Sequence, residues 1–129
     1  YNEYKNFESP GIVVRPYFDK MENVYAAADF IISRAGAVSI SELSCVGKPL
    51  ILIPSPNVTA DHQLKNAKAL SEAKAAIMIR ENELDKDFNK KFILLISNIS
   101  KQKHLKDNLK KFAKPFATDE IINQIMKLK

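Results

Sequence analysis

Cysteine is nearly absent from this sequence, and so are long apolar runs. The single cysteine, Cys45, cannot form an internal disulfide, which fits a reducing, cytoplasmic setting. It falls among small residues of a helical pattern, so we expect it to be buried. The longest apolar runs, such as Phe30–Ile32 and Leu50–Ile53, are far shorter than the roughly 20 residues that cross a bilayer. Residues 1–10 are polar and unlike a signal peptide, and without an initiator Met we expect the chain to begin inside a longer one.

Metal ligands and nucleic-acid recognition patterns are scarce too. The two histidines, His62 and His104, lie far apart, which gives a zinc site little support. No Asp-x-Asp pair adjoins a predicted strand end, so we expect neither a metal nor a cofactor. The formal charge of +5 suits nucleic acid, anionic lipid or phosphate-bearing ligands. Because no aromatic-rich strand or recognition helix accompanies it, we expect no nucleic-acid partner.

The order of apolar segments predicts an α/β fold. The 129 residues, 46% hydrophobic and 27% charged, suit one globular domain. Short apolar runs alternate with helical patterns, which indicates a Rossmann-like parallel sheet with flanking helices, and in such sheets ligands bind beyond the carboxyl ends of the strands. The predicted strands are Ile12–Arg15, Phe30–Ser33, Leu50–Ile53 and Ala76–Ile79. The predicted helices are Lys20–Ala28 after Asp19, Val38–Val46 before Gly47, His62–Glu72 after Asp61, Leu84–Ser100, Lys103–Lys114 and Asp119–Leu128 after Thr118.

The stretch from Ile31 to Glu42 carries the strongest chemical signal. A buried strand runs into a small-residue turn and then a helix, so free backbone N–H groups and the helix dipole would attract an anion. Gly36 would let a ligand approach the backbone, and Glu42 would accept from two sugar hydroxyls. An alternative stays open, in which Ser39 and Glu42 form a capping box at their three-residue spacing. Further donors would come from Arg34, Ser39 and Ser41.

A second loop, from Pro54 to Gln63, follows the next strand and would face the same crevice. Gln63 and Asn66 stand three residues apart on one helical face, where their amides offer both donors and acceptors to a sugar. Neighbours in sequence such as Asp61 and His62 do not face each other on a helix. We therefore expect a helix cap followed by a surface or ligand-facing imidazole, rather than a catalytic pair.

Several of these segments together resemble a known family. The matching runs are Tyr17-Phe18-Asp19-Lys20-Met21, Ala27-Ala28-Asp29, Ser33 through Glu42, Gly47-Lys48-Pro49, Asp61-His62-Gln63 and Asn66-Ala67. In order and spacing they are similar to the carboxyl-terminal domain of the MurG family. The resemblance covers about residues 12 to 80.

The resemblance implies the carboxyl-terminal half of a GT-B glycosyltransferase. Residues 1–129 would form the domain that binds UDP-N-acetylglucosamine (UDP-GlcNAc), without its first strand–helix units, and the amino-terminal acceptor domain would be absent. Backbone at Phe18 would meet the uracil, Glu42 the ribose hydroxyls, and Gln63 with Asn66 the sugar, while Ala37 through Ser39 would meet the diphosphate. The whole donor-binding set is Phe18, Arg34, Gly36, Ala37, Val38, Ser39, Ile40, Ser41, Glu42, Gln63 and Asn66, and no residue is identified as the general base.

The function that the resemblance implies is transfer of GlcNAc to an undecaprenyl-diphosphate-linked acceptor, lipid I, to form lipid II in peptidoglycan synthesis. Such an enzyme would work peripherally at the cytoplasmic side of the bacterial membrane, and the isolated chain would not turn over. Alternatives are another GT-B UDP-sugar transferase, or a noncatalytic nucleotide-sugar-binding subunit that needs a partner chain. In the lysine-rich tail, Leu105, Leu109 and Phe112 recur at helical spacing, which fits either packing on the domain or contact with an anionic membrane.

Overall fold

A computed structural model describes residues 3–56 and 61–127 of the chain. Helices and strands alternate through its first part, and three helices follow the last strand. The elements are α1 (Met21–Ala27), β1 (Ile31–Ser33), α2 (Ala37–Val46), β2 (Leu50–Leu52), α3 (His62–Glu72), β3 (Ile77–Met78), α4 (Leu84–Ile96), α5 (Ile99–Lys110) and α6 (Ala117–Lys127). Short 3-10 helices lie at Lys5–Phe7 and Glu81–Glu83.

The three strands form one parallel sheet in the order β1, β2, β3. Ile31 lies opposite Leu50, and Ile51 lies opposite Ile77. Parallel neighbours need a crossover connection, which α2 and α3 supply. All three residues of the central strand β2 are fully buried, as expected for a strand covered on both faces. The predicted α/β class with a parallel sheet is confirmed.

The core is divided by the sheet into two clusters, because alternate side chains of a strand point to opposite faces. Leu50 and Leu52 lie in one cluster, with side chains from α2, α3 and α5. Ile51 lies in the other with Leu95 of α4 and Leu105 of α5. The apolar stripes of the helices on both faces are therefore what hold β2 in the middle of the domain.

The predicted strand Ile12–Arg15 is wrong. This segment makes one isolated antiparallel bridge, between Ser9 and Ile12, and belongs to no strand of the described sheet. Its side chains Ile12 and Val13 are 51% and 64% exposed. A β-branched run forms a strand only where another strand pairs with its backbone, and no such partner lies beside it in residues 3–56 and 61–127.

The helical tail divides differently from the prediction. Predicted helix Leu84–Ser100 ends at Ile96, and the next helix begins at Ile99 rather than Lys103. Asn98 causes the break, because its side-chain oxygen accepts a 2.8 Å hydrogen bond from the backbone N–H of Lys101 and caps α5. Thr118 lies inside α6 instead of preceding it, and Leu128 is outside the described residues.

Burial decides between the two interpretations of the lysine-rich tail. Leu105 is 5% exposed and Leu109 is 1% exposed, so the stripe of α5 packs on the domain and is not free to lie on a membrane, while Phe112 at its end is 40% exposed. None of the helices in the described ranges is long and apolar enough to span a bilayer. Cys45 was expected to be buried and is exposed, because α2 turns its neighbours Leu43 and Ser44 inward.

Candidate functional site

The carboxyl ends of the three parallel strands meet at one edge of the sheet, and Arg34 crosses that edge. Its Nη1 donates to the carbonyl oxygen of Ile53 at 3.3 Å and to Glu81 Oε2 at 2.7 Å. The segments after β1, β2 and β3 are joined in this way by one guanidinium. Arg34 was predicted to donate hydrogen bonds to a ligand, and in the structure it also donates to protein oxygen atoms. A guanidinium has five N–H donors, so the others stay available to a ligand.

Gln63 and Asn66 of α3 hold the turn after β1. Gln63 Oε1 accepts from the backbone N–H of Ala35 at 3.3 Å and from that of Ser55 at 2.9 Å. Asn66 Nδ2 donates to the carbonyl oxygen of Ala35 at 3.1 Å. The structure thus brings Gln63 and Asn66 together with the Arg34–Gly36 turn, as the sequence predicted. The remaining polar atoms, Gln63 Nε2 and Asn66 Oδ1, offer one donor group and one acceptor.

The amino terminus of α2 lies just beyond this turn and is open. Gly36 is the N-cap residue, and no side chain of the described residues caps the helix. Val38 in the first turn is 84% exposed, which leaves the unpaired N–H groups accessible to an anion. Gly36 has φ −66° and a Cβ there would meet only Ser39 Oγ, at 3.7 Å. The fold itself therefore does not need a glycine at this position, and close approach of a ligand remains the predicted reason for it.

The alternative of a capping box between Ser39 and Glu42 is wrong. The helix begins at Ala37, so Ser39 is already inside its first turn and cannot be the N-cap residue. Ile40, predicted in the donor site, packs its half-buried side chain on the core, and its backbone N–H donates to the carbonyl oxygen of Gly36 at 2.9 Å, so neither group is free for a ligand. Ser41 and Glu42 are exposed.

Glu42 lines a groove of about 650 Å³ between α1 and α2. Tyr25 of α1 donates from its hydroxyl to Glu42 Oε2 at 3.2 Å. Partial burial and the nearby negative charge of Glu42 raise the pKa of Tyr25, so that its hydroxyl stays protonated and remains a donor at neutral pH. Glu42 is therefore an accessible carboxylate that accepts a hydrogen bond from one neighbour.

The remaining predicted groups in the described residues are exposed. Phe18, just before α1, is 42% exposed. Asp61 is the N-cap residue of α3, as predicted, but it has φ 45° and its side chain makes no capping hydrogen bond. His62 is exposed at the start of α3. Residues 57–60 of the loop that was expected to face the crevice lie outside the described residues.

Two residues near the site were missed by the sequence analysis. Tyr25 lies 17 residues before its partner Glu42, and Glu81 lies 47 residues after Arg34. Neither spacing is a local motif, so no signal in the sequence pairs them. Within residues 3–56 and 61–127 no group of three or more His, Cys, Asp or Glu side chains is placed to hold a metal ion.

Comparison with protein families decides where this arrangement belongs. The family described as "Glycosyltransferase family 28 C-terminal domain" matches residues 1–121 of the chain. The chain belongs to this glycosyltransferase family. Among solved structures, the crystal structure of MurG from Acinetobacter baumannii is similar to this family 28 domain, with a TM-score of 0.78 and 28% sequence identity. The similarity covers 89% of this chain and 33% of the MurG chain. The predicted fold class, the C-terminal half of a GT-B enzyme, is thereby confirmed.

Two curated relatives of this family 28 domain carry the name UDP-N-acetylglucosamine--N-acetylmuramyl-(pentapeptide) pyrophosphoryl-undecaprenol N-acetylglucosamine transferase. The protein from Flavobacterium psychrophilum is 46% identical over 99% of the chain, and so is that from Cytophaga hutchinsonii. The predicted resemblance to the MurG family is confirmed. The chain spans 35% of the length of each of these relatives.

Proposed function

We propose that this domain binds UDP-GlcNAc as the donor half of an enzyme that transfers GlcNAc to the 4-hydroxyl of an N-acetylmuramoyl unit. The acceptor would be linked to undecaprenyl diphosphate, and the anomeric carbon would invert. The observation that carries the proposal is the open amino terminus of α2 with the Glu42 carboxylate further along the same helix. The names of the relatives, which include both substrates, support it.

Helix geometry supports binding of the nucleotide along α2. N–H groups of Ala37, Val38 and Ser39 would bind the diphosphate and stabilise it as the leaving group, with no metal or other cofactor. Glu42 stands four residues after Val38, about 6 Å along the helix axis, and would accept from the ribose hydroxyls. A phosphate-to-ribose span of that size suits a nucleoside diphosphate. Backbone at Phe18 would meet the uracil.

The sugar would be bound by the two amides of α3. Because Gln63 Oε1 is taken by two backbone N–H groups, Gln63 would contribute its Nε2 donor, and Asn66 would contribute its Oδ1 acceptor. One donor and one acceptor side by side match a pair of sugar hydroxyls, each of which both donates and accepts. Arg34, Gly36 and Ser41 would complete the proposed donor site, and Ile40 would anchor the first turn of α2 on the core.

The acceptor site and the general base would lie outside this chain. The outer edge of β1 has no strand beside it in the described residues, and Ile32 of that strand is 47% exposed, which supports the proposal that the domain's first strand–helix units precede it. An amino-terminal domain would hold the lipid-linked acceptor and the general base. The enzyme would then act peripherally at the cytoplasmic face of the membrane, where such an acceptor lies.

Calorimetric titration with UDP-GlcNAc, UDP-glucose and UDP tests the donor site in the protein at its natural length. Glu42→Ala should weaken all three ligands roughly tenfold, because each carries the ribose. Gln63→Glu keeps an oxygen for the two backbone N–H groups, removes the donor and adds a negative charge near the proposed diphosphate, so it should weaken UDP-GlcNAc more than UDP. Lys65→Ala, at an exposed position of the same helix, is the matched control.

Competition among UDP, TDP and GDP sugars separates this proposal from related transferases. A preference for TDP or GDP sugars would contradict it, and so would a folded protein that binds none of the ligands. Transfer to a polyprenyl-diphosphate-linked acceptor should require the natural-length protein. The isolated 129-residue chain should show no turnover.

A further inference from the structure

The contact between Tyr25 and Glu42 joins two elements that the sequence keeps apart. The Tyr25 ring packs against the core cluster that contains Leu43 and Leu109, and its hydroxyl reaches Glu42 Oε2 at the groove. Tyr25 is half-buried while Glu42 is exposed. A fixed aromatic ring thus presents a donor to a carboxylate that is otherwise free to move.

A ribose diol can be bound by the Glu42 carboxylate only in a restricted orientation. To accept from two adjacent hydroxyls, both oxygens of Glu42 must face the ligand in one orientation, whereas an exposed glutamate side chain normally samples several rotamers. A carboxylate has about four lone-pair sites, so one hydrogen bond from Tyr25 leaves both oxygens able to accept. Orientation by the tyrosine is therefore compatible with binding of the diol.

We propose that Tyr25 is a positioning residue that orients the Glu42 carboxylate toward the ribose hydroxyls of the donor. The inference rests on the proposed function, since it needs Glu42 to bind the ribose. Tyr25 does not touch the ligand itself. Its effect reaches the nucleotide only through Glu42, to which its hydroxyl donates at 3.2 Å.

A purely structural role for the same contact has to be separated from positioning. Helix α1 has seven residues and none of them is buried, so any bond from it to the rest of the domain helps to hold it. Lys48 makes a second such bond, in which Nζ donates to the carbonyl oxygen of Ala26 at 3.3 Å. Lys48 lines the same groove as Glu42 and makes this contact without involving the carboxylate. Lys48→Met thus removes one bond to α1 and leaves the carboxylate in place. Because the lost charge would affect binding of both nucleotides alike, the control is judged only by the ratio of their affinities.

The experiment compares UDP with 2′,3′-dideoxy-UDP, which lacks both ribose hydroxyls, by calorimetry on the protein at its natural length. The wild-type protein should bind UDP roughly tenfold more tightly. Tyr25→Phe keeps the packed ring and removes the hydroxyl, so it should reduce this preference roughly three- to fivefold while binding of dideoxy-UDP is unchanged. Lys48→Met should leave the preference at the wild-type value, and thermal melting of each variant checks that it folds.

Each outcome decides a different statement. If the wild-type protein prefers UDP and Glu42→Ala abolishes the preference, but Tyr25→Phe retains it, the positioning role is overturned and the donor site stands. The positioning role also fails if Lys48→Met reduces the preference as much as Tyr25→Phe does, because the Tyr25–Glu42 contact then only holds α1 against the domain. If the wild-type protein binds both nucleotides equally, the ribose role of Glu42 is wrong and the inference falls with it.

Discussion

Gln63 offers the sharpest test of how the site is held, because one oxygen atom serves two backbone donors. Oε1 accepts from Ala35 N at 3.3 Å and from Ser55 N at 2.9 Å, and so ties α3 to the segments that follow β1 and β2. Gln63→Leu has nearly the same volume but no acceptor. We expect it to destabilise the domain and Gln63→Glu, which keeps the oxygens, to be tolerated.

The magnitude follows from the burial of the two donors. Ala35 is 0% exposed, so its orphaned N–H cannot bond to water and should cost about 1 to 3 kcal/mol. Ser55 is half-buried, and water can replace part of its lost bond, which adds about 1 kcal/mol. Together Gln63→Leu should lower the free energy of unfolding by about 2 to 4 kcal/mol. For a domain of this size that corresponds to a fall in Tm of about 8 to 16 °C.

Urea unfolding of the chain, followed by circular dichroism, measures the difference between the variants. Lys65→Leu on the exposed face of α3 is the control for placing a leucine in this helix. Gln63→Glu should lie within about 1 kcal/mol of the wild-type protein. If Gln63→Leu proves as stable as Lys65→Leu, the two hydrogen bonds from Ala35 N and Ser55 N to Gln63 contribute nothing to stability. The reasoning that Gln63 ties α3 to the segments after β1 and β2 is then refuted.

Three further predictions concern the rest of the domain. Leu109→Ala should lower the free energy of unfolding by about 2 to 5 kcal/mol in urea titrations, since its side chain is 1% exposed; an unchanged stability would contradict its place in the core. Gly47→Ala should cost about 1 to 2 kcal/mol by the same assay, because φ is +65° and the new Cβ would lie 3.0 Å from Lys110 Cε; Gly47→Asn should cost less. The hydrogen bond from Arg15 lowers the pKa of Glu8 below its ordinary 4.5. This contact should therefore stabilise the fold above pH 4.5 and lose its effect as the pH falls through the lowered pKa. NMR titration of the Glu8 carboxyl should return its pKa toward 4.5 in Arg15→Met, and an identical titration in both proteins would contradict the pairing.

The outline of the fold could be predicted because its signals are local. Buried runs such as Leu50–Leu52 mark strands, and Gly47 after α2 marks a helix end, where the structure indeed has a left-handed φ. The predicted anion site at the start of α2 follows from a strand, a small-residue turn and a helix in succession. Each of these properties depends on residues within a few positions of one another.

Other properties depend on partners that the chain order does not reveal. The β-branched segment at Ile12 looks like a strand, but strand formation needs a neighbour to accept its backbone bonds, and none lies beside it in the described residues. Leu109 was compatible with a membrane-facing or a core position, since an apolar stripe has the same spacing in both cases. Burial against the sheet decided between them.

By itself the sequence determined the α/β class, the succession of strands and helices from Phe30 onward and the family resemblance, because apolar periodicity and the MurG-like motifs depend only on residue order. The donor-site residues stay a prediction. Only the tertiary structure decided which contacts hold the candidate site residues: Gln63 accepts from the N–H of Ala35, Arg34 pairs with Glu81, and Tyr25 donates to Glu42. Those pairs lie 28, 47 and 17 residues apart. Contacts across such separations arise when the strands and helices pack together, and no local pattern encodes which side chains then meet.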